Sequence, residues 1–507
     1  MDKKTKNNNR ILIASLWIIP LAFYLAFGVL DGAVWCADSD SYVRMYDSRE
    51  PLYPTLLALV RFICGVGPEA DPTNNLSLTV MALIQSIFAG LATGSLVTFL
   101  VKTYLPNAFA EDKVFGRRVC TAGGRSKAEV VRKREQMLAY ILMCVPLGVS
   151  LLNRFAASRA SMYSNSIMTE GIAISLYLLA FRFILDYMIS DDKRAFKCSC
   201  FIVFVGITLR KQMFVLLCLL CIAVIYRSIV CPIAENIKNK DKNSALIFLK
   251  GLLCLILSVA VTVGAAMAVD CTYNKLVRGS FIIHTEDNRF VTTMALYTAE
   301  REYVEFIDPE LKDIYLKIYD ECDRNKWLMH DAPSGWYEAV DHFADNYDHI
   351  QLDTMQWALR DFVTSGSYKG FAPGMTETEK IDAVRYSFNA SLLPHENGRL
   401  LTVFANNLLN GLVNTVAKKN IPLCIYALVI YLVFVAFAVR AHGRKQKILV
   451  VMTVLSLLGN LALVSAVIFS QTRYMIYNMP LFYMTLLIMM YGRYSEKKGF
   501  VGKEDAV

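Results

Sequence analysis

The chain is short of charge. Asp, Glu, Lys and Arg make up 19% of its 507 residues, where soluble proteins average about 25%. Hydrophobic residues reach 55%, mean hydropathy is +0.38, and the apolar residues come in blocks. This excludes an ordinary soluble protein and replaces any domain count taken from length with a count of membrane spans. A nucleic-acid footprint is also missing. The formal charge is +9, yet the Lys and Arg residues sit in short stretches between apolar blocks, where the positive-inside rule puts them, and no basic face alternates with aromatics. No phosphate-binding glycine loop is present, since TAGGR at 121–125 is too poor a match. Thirteen cysteines form no metal framework. Cys218 and Cys221 make a CxxC inside LLCLLCIAV, where thiols act as small core hydrophobes. Cys36, Cys64, Cys271 and Cys322 fall in outer segments, and pairing among them stays open.

What is present is a series of spans. MDKKTKNNNR precedes an apolar run from Ile11 to about Leu30 that is too long for a leader's core and lacks a small-x-small cleavage site. Ala33-Val-Trp-Cys36 is a poor lipobox because bulky Trp35 precedes the cysteine. The run is therefore expected to be an uncleaved first span with its amino terminus inside. Residues 31–75 follow outside, with a short in-plane helix over Leu52–Cys64. Further spans are expected near 76–104, 137–152 and 167–189. The run 198–226 carries Arg210 and Lys211 near its middle. A single span would place both near the bilayer centre at roughly 2.5–3.5 kcal/mol each, so two spans with an outer turn at the pair are expected. A span near 246–269 leads to the long acidic stretch 271–400, read as a mostly helical extracytoplasmic domain with a strand around Ser280–Ala295. Leu401, Phe404, Leu408, Leu412 and Val416 recur at helical spacing with asparagines opposite, which predicts an interfacial amphipathic helix over 401–417. Spans at 421–439, 448–469 and 479–491 complete the 418–507 region. The expected fold is an all-α polytopic membrane protein of about ten transmembrane helices, with both termini cytoplasmic.

Chemistry gathers in the outer loop ADSDSYVRMYDSREPLYP. Asp38 and Asp40 stand two residues apart, and carboxylates at a membrane surface serve as general bases or hold a divalent cation against phosphate. Pro51 and Pro54 fix the backbone where the chain re-enters the interface. Glu170 sits at a span entrance, where an acid is costly unless paired or wet. Arg210, Lys211 and Arg473 are expected at the same depth, with Arg154 and Arg159 as weaker candidates. Ordinary snorkelling would account for such cations equally well.

The pattern DSxSY after the first span, followed by R-x-P-x-Y-P opening an in-plane helix, resembles the GT-C glycosyltransferases. These polyprenyl-phosphate-sugar-dependent enzymes include the protein O-mannosyltransferases and the lipid A aminoarabinose transferases. Met168-Thr-Glu170-Gly, Arg210-Lys211 and Arg473-Tyr474 before Pro480 fit the same resemblance, which runs from the first span to about residue 230 and touches the start of the last one. Residues 271–400 lie outside it. The resemblance implies a transmembrane core over 1–270 and Asp38 as the base that deprotonates the acceptor hydroxyl in an inverting displacement. Asp40 would be an alternative base or a metal ligand. Arg210, Lys211 and Arg473 would bind the donor phosphate, and Tyr42, Arg49, Tyr53, Glu170 and Tyr474 would line the substrate site. The implied partners are a polyprenyl-phosphate-linked sugar, a glycan, lipid or protein acceptor, and the bilayer. The resemblance fixes no cofactor, and a divalent cation is compatible with the site.

A transporter or flippase of a lipid-linked sugar is the rival reading; it should show internal repeats and broken midplane helices, and no repeat is evident. A glycan polymerase or ligase is the other rival, and the late loop does not separate it from the first reading. Two further clusters need placing: His342, Asp345 and His349 share a helical face and could hold a metal, and His395-Glu396 precedes the amphipathic helix close to the bilayer.

Overall fold

The computed structural model describes residues 3–67, 69–109, 127–156, 161–239, 244–284, 288–366, 368 and 370–497. The TAGGR stretch and Arg159 lie outside them. The protein is an all-α, multi-pass membrane protein, and the described residues contain no β-sheet, only an isolated parallel bridge between Val34 and Ser166. The helices run α1 Lys3–Asp31, α2 Ser39–Val43, α3 Leu52–Ile63, α4 Leu76–Tyr104, α5 Lys127–Ala156, α6 Glu170–Ser190, α7 Lys193–Leu209, α8 Phe214–Ile225, α9 Cys231–Asn239 and α10 Ser244–Arg278. There follow α11 Asn288–Thr298, α12 Lys312–Arg324, α13 Trp336–Asp348, α14 Trp357–Thr364, α15 Glu377–Leu392, α16 Asn397–Val416, α17 Ile421–Ala438, α18 Gly443–Ser465, α19 Thr472–Met475 and α20 Met479–Lys497.

Among the described residues, eight helical stretches are long and apolar enough to cross a membrane, against the ten spans expected. The other two are α7, only 17 residues long, and α20, whose last turns carry Arg493, Glu496 and Lys497. Both pack within the bundle, α7 against α6 and α10, and α20 against α5, α17 and α18. The apolar run around Arg210 is broken as expected. Arg210 has φ −164° and ψ 131°, so α7 stops there and the chain turns before α8. A π turn at Tyr226–Val230 then carries α8 into α9, making one span of Lys211–Ile237. Among the described residues, the strand expected around Ser280–Ala295 does not form. Asn288–Thr298 is helical instead, its TTMALYT end buried on nearly every side, which hides the one-faced pattern that marks a surface helix.

The main core is built where α1, α4 and α6 pack together, with α5, α7, α8 and α20 around them. At one end of the bundle, buried Glu135 of α5 accepts hydrogen bonds from Asn107 Nδ2 and the Ala108 amide, both 2.9 Å, and from Tyr491 of α20 at 3.1 Å. Residues 288–396 form a second core around Tyr315, Ile318, Phe343, Tyr347 and Phe388, closed on one side by Val403 and Phe469. Cys322 is buried in it, and Cys64, Cys271 and Cys322 carry free thiols.

Helix α16 is amphipathic, and its asparagine face is the buried one. Asn407, Asn410 and Asn414 are at most 5% exposed whereas Leu401 is 65% exposed. Asn410 Nδ2 and Asn414 Nδ2 each donate to the Ser470 carbonyl at 2.8 Å, and Thr472 Oγ1 donates to Asn414 Oδ1 at 3.1 Å. The polar stripe thus grips the turn that leads into α19.

Helices α1 and α4 approach closely at Gly90. A Cβ on Gly90 would fall 2.6 Å from Leu21 Cα, too near for any side chain without parting the backbones. Gly90→Val is expected to destabilise the protein by about 1–3 kcal/mol, read as a lower unfolding temperature of the purified protein. An unchanged transition would show that the two helices do not meet at this point.

Candidate functional site

The loop after α1 is held in place before any charge is considered. Val34 lies alongside 165–167, with Val34 N donating to Asn165 O and Ile167 N to Val34 O, both 2.9 Å. Ser39 Oγ accepts from Cys36 N at 2.8 Å and donates to Ile167 O at 2.7 Å. Behind these segments sits Gln85 of α4, fully buried. Its Nε2 donates to Ser164 O and Ser166 O at 3.1 and 3.0 Å, and its Oε1 accepts from Tyr53 OH at 2.8 Å. One amide therefore ties α3, α4 and the 161–169 segment together. Gly171 makes room for it, since a Cβ there would lie 2.6 Å from the Gln85 side chain.

On this frame five charged side chains converge. Asp38 precedes the short helix α2 but does not cap it. Its Oδ1 accepts from Arg49 Nη2 at 2.7 Å and its Oδ2 from Arg473 Nη1 at 3.2 Å. Arg210 Nη1 meets Glu170 Oε1 at 2.6 Å and also donates to Thr169 Oγ1 at 3.0 Å. Tyr42 links the two groups, its hydroxyl accepting from Arg49 Nη1 at 3.2 Å and lying 3.3 Å from Thr169 Oγ1. The Tyr474 ring is shared, 4.7 Å from the Arg473 guanidinium and 5.4 Å from that of Arg210. Three guanidiniums thus meet two carboxylates. Arg473 Nε is buried and has no hydrogen-bond partner among the described residues. Burial alone would raise the Asp38 pKa, but the charges of Arg473 and Arg49, with Arg210 beyond them, hold it at about 2, so the carboxylate is ionised at any physiological pH.

Asp38, Tyr42, Arg49, Glu170, Arg210, Arg473 and Tyr474 are brought together from four separate parts of the chain. Two other expected site residues, Asp40 and Tyr53, sit apart from them. Asp40 bonds outward, to Arg44 Nε at 2.8 Å and Tyr46 OH at 2.9 Å. Tyr53 is in the core beneath Tyr42, their rings 5.2 Å apart. The Lys211 amide donates to Glu50 Oε1 at 2.9 Å. Arg154 is engaged by Asp31. The sequence reading missed Thr169, Glu50, Gln85 and Asp348. Gln85 was legible as a lone amide in an apolar span. Asp348, at the end of α13, is coupled electrostatically to Arg473 and Asp38, across more than three hundred residues of sequence from the latter. A π-helix over His349–Gln356 follows it directly, a geometry that often marks functional positions.

The expected metal set does not converge. His342 is engaged by Tyr297 OH and Lys326 O, both at 3.1 Å, and His349 by Asp353 at 2.7 Å while it stacks on Trp327. A weaker cluster lies elsewhere on the same unit, where His330 Nε2 is 2.8 Å from Asp323 Oδ1 and 3.3 Å from Asp331 Oδ2, spacings a divalent cation could bridge. His395 stacks on Phe306 with ring centres 3.6 Å apart. Glu396 turns inward, accepting from Thr298 Oγ1 at 2.7 Å.

No family model matches the chain, and no curated protein matches it. Among solved structures, ArnT from Cupriavidus metallidurans bound to undecaprenyl phosphate aligns over 99% of this chain and 80% of that one, at 11% identity and a TM-score of 0.26.

Glu396 gives a pH test of the second core. Burial pushes its carboxyl up to about 8, against smaller opposing effects of Thr298 and Arg399. Between the ordinary carboxyl pKa and about 8 the folded state holds a proton that the unfolded chain has released, so stability falls as pH rises through that window. Glu396→Gln is expected to flatten this slope and to raise the unfolding temperature relative to wild type at pH 8. Equal slopes for the two proteins would sink the assignment.

Proposed function

We propose that the chain is an integral membrane glycosyltransferase that moves a sugar from a polyprenyl-phosphate donor to an extracytoplasmic acceptor by inverting displacement. The observation that carries this reading is the gathering of Arg49, Arg210 and Arg473 on the Asp38 and Glu170 carboxylates, with a buried Arg473 Nε that has no hydrogen-bond partner among the described residues. A phosphodiester donor brings one negative charge and leaves as a phosphate monoester carrying more. Cations already in place at the leaving oxygens stabilise that change.

In this reading the acceptor oxygen attacks the anomeric carbon and its proton passes to Asp38. The bond from the anomeric carbon to the phosphate oxygen breaks, and its electron pair stays on the phosphate, next to Arg210 and Arg473. A carboxylate with a pKa of about 2 is a weak base while both its arginines are on it. Donor phosphate engaging Arg473 removes one of them and raises the basicity of Asp38 when a substrate is present. Arg49 and Tyr42 keep the carboxylate oriented. Asp40 is the alternative base or a metal ligand, and Lys211 a further phosphate contact. Residues 1–270 form the catalytic core, 271–400 the extracytoplasmic domain, 401–417 an interfacial helix and 418–507 the closing spans. Both termini are cytoplasmic and the charged cluster is at the outer face, as the basic loops between spans require.

The test is transfer of radiolabelled sugar from synthetic polyprenyl-phosphate donors to cell-envelope acceptors. Asp38→Asn is expected to lower turnover by about 10²–10⁴-fold, the usual contribution of a positioned base, and Arg473→Ala to weaken donor binding as well. Equal turnover by wild type and Asp38→Asn would move the base to Asp40 or Asp348. A folded protein that binds donor and transfers nothing would instead favour a transporter of lipid-linked sugar.

A further inference from the structure

A cavity of about 210 Å³ opens between the 329–334 turn, α13 and α16. Tyr297, Phe343, Val403 and Asn407 line its buried floor, and Pro333, Ser334 and Thr402 lie on its exposed rim. Asn407 is fully buried, and its Oδ1 has no hydrogen-bond partner among the described residues. Leaving a buried amide oxygen unsatisfied is costly, so its persistence at a cavity points to a ligand that supplies a donor. No carboxylate or basic side chain lines the space, which excludes a charged ligand. The Tyr297 and Phe343 rings stand 4.6 Å apart at 49°, while Asn406, Asn407, Thr402 and Ser334 add amides and hydroxyls. A wholly apolar ligand would leave the amides unpaired, and a wholly polar one would gain nothing from the rings. A ring with an apolar C–H face and a hydroxylated edge uses both. The volume exceeds the roughly 150 Å³ that admits a benzene ring.

The cavity also flanks the charged cluster. Phe343 packs edge-on against Phe469, 6.3 Å between ring centres, and Tyr347 against the same ring at 5.2 Å. Phe469 shortly precedes Arg473. Asp348, five residues after Phe343 on α13 and so about 7.5 Å along the axis, is coupled to Arg473 and Asp38. We propose that this cavity is a subsite for a neutral pyranose of the acceptor glycan. The assignment to the acceptor rests on the glycosyltransferase reading above.

The test uses the full-length protein with linear glucan, mannan and chitin tetrasaccharides as probes and cyclohexanol as the apolar control, binding being read by titration without any transfer. Ala339→Trp fills the space. Asn406→Ala removes one half-buried amide and keeps the test intact should the larger residue prevent folding. At least one tetrasaccharide is expected to bind saturably, at least tenfold more weakly to each folded variant and equally well to Asp38→Asn. Absence of saturable binding by all three sugars, affinity unchanged in the variants, or cyclohexanol bound as tightly as sugar would each overturn the proposal. Failure of the two readings is separable. Transfer that survives Asp38→Asn counts against the base while leaving the subsite standing, and transfer and binding unaffected by Ala339→Trp remove the subsite while leaving the enzyme.

Discussion

Everything near the first loop depends on the cost of placing charge beside an apolar bundle. An isolated ion there costs several kcal/mol, and only close opposite charges with satisfied hydrogen bonds recover it. Glu170 is 2% exposed and is tolerable because Arg210 lies against it. Arg210 in turn can sit there because the helix breaks at that residue, which brings its guanidinium to Glu170 and Thr169. Asp38 is held by two arginines from different parts of the chain. Removing any one member leaves another buried charge exposed to that penalty, so the cluster specifies its own geometry.

Neutral hydrogen bonds do the rest of the positioning. Gln85 fixes the first loop to the segment before α6, and Asn410 and Asn414 of α16 fix the turn that delivers Arg473. An amide deep in an apolar span is expensive unless every polar atom is used. That requirement turns each of these side chains into a clamp with one satisfying arrangement. The second hydrophobic core includes α13, whose last residue, Asp348, feels the charges of Arg473 and Asp38.

The spans, the short helix α3 and the break at Arg210 were legible in the sequence because bilayer thickness and the penalty on buried cations act on a local stretch of chain. Asp38, Arg49 and Tyr42 were legible too, lying within a dozen residues of one another. The helix at Asn288–Thr298 was misread as a strand because a segment buried on most sides loses its period. Asp40 ranked beside Asp38 in sequence, yet a turn of one short helix sends it outward to Arg44 and Tyr46. Direction along a five-residue helix is set by what it packs on.

The sequence by itself determined that this is a multi-pass membrane protein, since hydropathy is a sum over neighbouring residues. Which charges meet was decided only by tertiary structure. Arg473 reaches Asp38 across 435 positions, and no local pattern encodes a contact between groups that only the packing of distant helices brings together. The same holds for α16, whose inward face is chosen by the carbonyl of Ser470 and not by its own periodicity.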